Sequence, residues 1–117
     1  MARYEILHNP RCSKSRETLA RLTAAGVTPT VVEYLRDPPT APRLQEILQL
    51  LGHNDPRALM RTKEPVYAEL GLAKVTDPKK LVAAMVAHPI LIERPIVIKD
   101  GRRAVIGRPP ENVDRLL

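Results

Sequence analysis

The stretch RPIVIKDGRRAVIGRPP, residues 94–110, is where the fold is decided. Two apolar, β-rich runs, PIVIK and RAVIG, flank Asp100-Gly101. Asp-Gly between such runs is a strong signal for a β-hairpin, because both turn residues are needed at positive φ. The hairpin is followed by PPENVDRLL, which reads as a short C-terminal helix. The chain therefore ends in an antiparallel β-β-α unit.

Its beginning has a different pattern. RYEIL, residues 3–7, is short and apolar enough for a strand, and it stops at Asn9-Pro10. From Ser13 the apolar positions Leu19, Leu22 and Ala25 recur at helical spacing, and Gly26 suits a helix stop. TPTVVEYL, residues 28–35, predicts a second strand rich in β-branched residues. Strand, helix and strand in succession predict a parallel βαβ unit with a right-handed crossover.

Between these ends the pattern is helical. Leu44, Ile47, Leu48 and Leu51 lie on one helical face, with Thr40 as N-cap and Gly52 as stop. NDPRALMR and TDPKKLVAAMVAH each open with Asp-Pro, Asp55-Pro56 and Asp77-Pro78, an N-cap followed by proline at the first helical position. EPVYAELG predicts another short helix. The order β-α-β, helical block, β-β-α is a thioredoxin-like α/β arrangement: a mixed four-stranded sheet flanked by helices. The expectation is one domain over 1–117 with a helical insertion at about 40–88.

The 117 residues suit one domain. With no Phe, no Trp and three Tyr, the core must be aliphatic. One cysteine excludes an internal disulfide and a multi-thiolate zinc site. His53 and His88 match no standard zinc spacing with Cys12, so no metal is expected. The N-terminus lacks a signal-peptide pattern and no apolar run reaches the ~18 residues of a membrane span, so the expected setting is the cytoplasm, without membrane contact. A net charge of +6 favours anionic partners. The cations are scattered and aromatics for base stacking are few, so nucleic acid is not an expected partner.

The single thiol, Cys12, stands where the first strand has ended and the first helix begins. Backbone N–H groups at a helix start and the positive end of its dipole both favour thiolate. Arg11, Lys14 and Arg16 surround it in sequence, and His8 lies four residues upstream, within reach across the turn. Buried structural cysteines usually lie inside elements, whereas this one sits between Asn-Pro-Arg and Ser-Lys-Ser. The reading is a reactive nucleophile. The same helix start suits an oxyanion, with Ser13 and Ser15 as hydroxyl donors. A tyrosine-phosphatase loop requires arginine at the sixth position after cysteine, and Thr18 stands there. Arg94-Pro95 falls in the loop before the third strand, which in a thioredoxin-like fold faces the first helix, often through a cis proline. An arginine there would aim a planar fork at an oxyanion over Cys12. Arg108, between the hairpin and the last helix, is a second candidate, and Arg61 a third. Glu64 and Glu93 read as surface charges or arginine partners.

HNPRCSKSRETL, VVEYLRDPPT, RALMRTKEPVYAELGL, HPILIERPIVI and VIGRPPENV, in this order and at this spacing, resemble the glutaredoxin-coupled arsenate reductases over essentially the whole chain. The combination of HNPxCxxSR, HPILIxRPIV and GRPPE carries the resemblance. It implies a thioredoxin-like fold with Cys12 as nucleophile. His8 would assist its ionisation, and Arg61, Arg94 and Arg108 would bind the oxyanion. Cys12 would attack arsenate, glutathione would displace oxygen at arsenic, and glutaredoxin would complete reduction to arsenite. No metal or tightly bound cofactor is implied, glutathione being a co-substrate. The single cysteine agrees, since a chain with one thiol must borrow another for turnover. Two other readings share the pattern: a glutathione-dependent thiol reductase without arsenate activity, and an Spx-type regulator that binds RNA polymerase. The latter often carries C-x-x-C where this chain has Cys12-Ser13-Lys14-Ser15.

Overall fold

The computed structural model describes residues 2–117. They form two compact units: residues up to Asp37 together with Arg94–Leu117, and Pro38–Glu93.

The first unit contains the sheet. Strands β1 (Tyr4–Leu7), β2 (Thr30–Val32), β3 (Ile96–Lys99) and β4 (Arg103–Ile106) lie in the order β2-β1-β3-β4. β1 pairs parallel to β2, and antiparallel pairs join β1 to β3 and β3 to β4. This is the mixed four-stranded sheet expected from the pattern. Ile6 on the central strand β1 is paired with Val31 on one side and Val97 on the other. Helix α1 (Ser13–Ala24) and a C-terminal 3₁₀ helix, Pro110–Leu116, pack on each other. Ile6, Leu22, Val97, Val113 and Leu116 form the buried core, with Tyr4, Leu19, Val27 and Val105 against it. Arg21 on α1 grips Asp114 with two hydrogen bonds, 2.5 and 3.2 Å long.

Local chemistry explains the element ends. α1 stops at Gly26, whose φ of 83° is left-handed. Gly26 N–H reaches the Thr23 carbonyl and Val27 N–H the Leu22 carbonyl, the paired bonds of a glycine-terminated helix. At the hairpin tip Asp100 and Gly101 both have positive φ, 55° and 64°. The register pairs Lys99 with Arg103, so Arg102 is an extra loop residue beyond a two-residue turn. Asp100 also ties the tip to the start of β1: its carboxylate accepts Arg3 N–H, and its own N–H reaches Arg3 O, both at 2.7 Å.

One expectation is corrected in extent, and the type of the last helix is now defined. β2 covers three residues rather than the whole of 28–35. It pairs only with β1, whose last partner is Leu7 opposite Val32, and the chain then turns at Glu33 with Arg36 N–H on the Glu33 carbonyl. The last helix is 3₁₀ throughout: Pro110, Val113 and Leu116 are its buried residues, and a spacing of three puts them on one side of a three-per-turn helix.

The second unit is helical. α2 (Ala41–Leu50), α3 (Pro65–Glu69) and α4 (Pro78–Ala87) are connected through 3₁₀ segments at Pro56–Leu59 and Leu72–Lys74, and a third, Pro89–Leu91, follows α4. α2 packs on α4, burying Leu44, Ile47 and Leu48 of one and Leu81, Val82 and Met85 of the other. Within NDPRALMR the helical turn is 3₁₀, Pro56–Leu59, with Asp55 as its cap accepting Arg57 N–H at 2.9 Å. Among the described residues no helix is long and apolar enough to cross a membrane.

Candidate active site

Cys12, His8, Ser13, Ser15, Arg94 and Arg108 belong to the first unit. After β1 the segment Asn9-Pro10-Arg11 turns the chain. Asn9 Oδ1 accepts Arg11 N–H at 3.0 Å and the Asn9 carbonyl accepts Cys12 N–H at 3.0 Å. Arg16 reaches back to the Pro10 carbonyl at 2.9 Å. These contacts place Cys12 at the N-cap of α1, in an extended conformation (φ −95°, ψ 123°). Its carbonyl already accepts the first helical N–H, from Arg16.

Cys12 is 8% exposed. Burial is the largest single influence on the thiol and pushes its pKa up. Acting together, the Ser15 N–H, the hydrogen bond and charge of Arg94 and the Lys14 N–H outweigh it, and the pKa falls below the ordinary thiol value. Arg108 adds a second guanidinium, its Nη2 lying 3.4 Å from Sγ. Arg94 comes from the loop before β3, where Arg94-Pro95 is a cis peptide, and Arg108 from the loop after β4. The Arg94 carbonyl accepts Arg108 Nε at 2.7 Å, so the two arginines are held side by side.

His8 and Ser15 lie beneath this group, at 7% and 0% exposure. His8 Nδ1 is 2.6 Å from Ser15 Oγ, and Asn9 N–H donates to the same oxygen at 3.0 Å. The imidazole is therefore bonded to Ser15 rather than to sulfur. Desolvation pulls the His8 pKa down, Glu33 opposes this and Arg16 adds to it, with a net lowering that favours the neutral ring. Ser15 thus works in two directions: its hydroxyl is engaged with His8 and Asn9, and its backbone N–H faces Cys12. Ser13 is exposed in the first turn.

Arg61 belongs to the second unit. Met60 and Ile92 form an isolated antiparallel bridge, and Arg61 N–H reaches the Leu91 carbonyl at 2.7 Å. Its guanidinium is oriented by Glu64 at 2.9 Å and Glu93 at 3.4 Å, so of the two expected roles, surface charge or arginine partner, both glutamates take the second. No group of three or more His, Cys, Asp or Glu among the described residues could hold a metal ion.

Sequence reasoning did not find the Asn9 turn as the device that sets Cys12 at the helix start, nor the Arg94 carbonyl as the brace for Arg108. The first had a signal, since Asn before Pro is a common turn former. The second joins residues 14 apart through a main-chain oxygen and leaves none.

The model of the ArsC family matches residues 7–116. The chain belongs to the ArsC family. Within that family it is 45% identical over 118 residues to the arsenate reductase of Neisseria meningitidis serogroup B, an alignment that covers all of both chains. It is also 54% identical over 110 residues to the uncharacterized protein YfgD of Escherichia coli, covering 93% of this chain and 92% of that one. Among solved structures it resembles the arsenate reductase from Vibrio cholerae, with a TM-score of 0.93, 50% identity and 97% of each chain covered.

The arrangement brings together a thiol at a helix start and two guanidinium groups. A thiol whose ionisation is favoured by two guanidinium groups and by helix N–H groups can attack an electrophilic centre whose oxygens those arginines could hold.

Proposed function

We propose that this protein reduces arsenate to arsenite through an arsenylated Cys12, with glutathione and glutaredoxin as the external thiols. The observation that carries the reading is the contact of Arg94 and Arg108 with the sulfur of an N-capping cysteine, in a chain whose relatives include proteins named arsenate reductases. The Cys12 thiolate attacks arsenic, forming an As–S bond as one arsenate oxygen leaves as water. Arg94 and Arg108 hold the remaining oxygens and offset their charge, with Ser13 in the same first turn as a further donor. Glutathione forms a second As–S bond and a second oxygen leaves. A glutaredoxin thiol then attacks the glutathione sulfur. The As–SG electron pair passes to arsenic, which becomes trivalent, and the two external thiols depart as a mixed disulfide. Hydrolysis of the remaining As–S bond releases arsenite and regenerates Cys12.

His8 and Ser15 serve this scheme from below, keeping the helix start in place and the Ser15 N–H on the sulfur. Arg61 carries the oxyanion-binding role that the family resemblance implies. The protein meets the partners it needs as small soluble thiols and a thiol protein, and no tightly bound cofactor enters the cycle.

The test is arsenate-dependent NADPH oxidation coupled through glutathione reductase. Turnover that requires both glutathione and glutaredoxin is the expected result. A mixed disulfide of glutathione on Cys12 with no arsenate turnover would instead assign the protein as a thiol reductase.

A further inference from the structure

We propose that Gly107, seated against Thr18, is a positioning residue that sets Arg108 over Cys12; this rests on the reading of Cys12 and Arg108 as the oxyanion site. The five glycines of the chain differ sharply in their surroundings. At four of them a Cβ would meet nothing within 4 Å, and those four have left-handed φ. At Gly107 the reverse holds. Its φ is not left-handed, but a Cβ would lie 2.5 Å from Thr18 Oγ1, 3.0 Å from Thr18 Cγ2 and 2.8 Å from Pro95 Cγ. Glycine is required there for space, since a main chain passes directly over a helix side chain.

Three segments that supply the site meet at this point. Thr18 is fully buried on α1, and its hydroxyl donates to the Lys14 carbonyl at 2.8 Å and lies 3.4 Å from the Gly107 carbonyl. Lys14 is in the same turn that directs N–H groups at Sγ. Gly107 N–H donates to the Pro95 carbonyl at 2.9 Å, and the next residue, Arg108, donates from Nε to the Arg94 carbonyl. The distance from α1 to the 107–109 loop therefore determines where the Arg108 fork arrives. Thr18 has one side-chain torsion, and turning it to admit a methyl group would break its bond to Lys14. With Pro95 also in the way, the loop must retreat from α1 and carry the guanidinium off the sulfur.

Alkylation of Cys12 reads this directly. The rate with anionic iodoacetate, divided by the rate with neutral iodoacetamide, reports on positive charge at the sulfur. The thiolate fraction is common to both rates and cancels. Arg108→Ala is expected to lower this ratio several-fold. Gly107→Ala should bring it close to the Arg108→Ala value and reduce kcat/KM for arsenate by about tenfold to a hundredfold, the cost of a misplacement of order 1 Å. Thr18→Ala removes both Thr18 atoms that oppose the new methyl group and leaves Pro95 Cγ, the tip of a ring that can repucker, against it. Gly107→Ala/Thr18→Ala should therefore return most of the way toward the ratio of Thr18→Ala alone. A merely destabilising methyl group would lower the melting temperature and leave the ratio of the folded protein unchanged.

A wild-type ratio in Gly107→Ala or in Arg108→Ala overturns the proposal, and so does a folded double variant that stays at the Arg108→Ala value. Should Gly107→Ala alone not fold, the comparison of the double variant with Thr18→Ala decides. Alkylation asks nothing of arsenate, so a protein without arsenate turnover that still gives the expected ratios loses its substrate assignment and keeps Gly107 in this role.

Discussion

The helix starts in the two units are built differently. In the helical unit, α2 is capped by Thr40 and α4 by Asp77, whose side-chain oxygens accept Arg43 N–H at 3.3 Å and Lys79 N–H at 3.0 Å. Proline is the second residue of α2, Pro42, and the first of α4, Pro78. These are the means by which a short helix is simply stabilised. In the sheet unit, α1 begins at Cys12, with no proline in its first turn and sulfur where an oxygen would be. The N–H groups that an Asp or Thr would have satisfied face Sγ instead, and two arginines complete the surroundings. The same extended class of cap backbone thus serves stability in one unit and polarises a thiol in the other.

The largest effect that probes this contrast is Cys12→Ser. Arsenate turnover should fall to background in the coupled assay, while the melting temperature does not drop, because serine is a good N-cap. A clear loss of stability would mean that sulfur at this position is itself a structural cap, and the contrast would fail. Next come the arginines. Arg94→Ala and Arg108→Ala should each lower kcat/KM by about 10². Arg94→Ala should also raise the pH at which the thiolate absorbance of Cys12 appears. Unchanged arsenate kinetics in both would remove the anion site. Arg61→Ala tests its proposed role in the same assay.

Smaller effects are expected in the helical unit. Asp77→Ala should cost about 1 kcal/mol in denaturant unfolding, as should Thr40→Ala, without altering turnover. If either changed turnover as strongly as an arginine variant, these caps would be more than structural.

Acid should bring out a graded response. His8 has a folded pKa below its ordinary value of 6.5, so the unfolded chain binds its proton more readily. Its contribution to stability is whole above about pH 6.5 and is lost as pH falls toward the folded value. Cys12, also lowered, has the same sign at higher pH: its contribution is whole above the ordinary thiol pKa and declines as pH falls through the folded one. His8→Gln should flatten the acid limb of a stability profile. A limb unchanged by that substitution would show that other groups set it.

The contrast also marks how much could be read in advance. Oxygen caps are local, so Thr40, Asp55 and Asp77 were legible from residues next to one another. The hairpin at Asp100-Gly101 and the stop at Gly26 were legible for the same reason, since left-handed φ selects residue type directly. Cys12 was found as a helix-start thiol by that logic. Its partners were not all visible. Ser15 was expected to offer its hydroxyl to an oxyanion, yet the hydroxyl is spent on His8, seven residues away across a turn. β2 was read as longer because its composition favours a strand beyond Val32, where no neighbouring strand remains to pair with it.

From residue order alone come the succession of elements, the aliphatic core and the single thiol at a helix start. These depend on periodicity, turn chemistry and counting, which act over a few residues. Tertiary structure alone decided that the guanidiniums of Arg94 and Arg108 converge on a sulfur 82 and 96 residues earlier in the chain, that His8 bonds Ser15, and that Gly107 lies against Thr18. Strand order and loop packing set those distances, and they follow from the burial of Ile6, Leu22 and Val97 in one core rather than from any local preference.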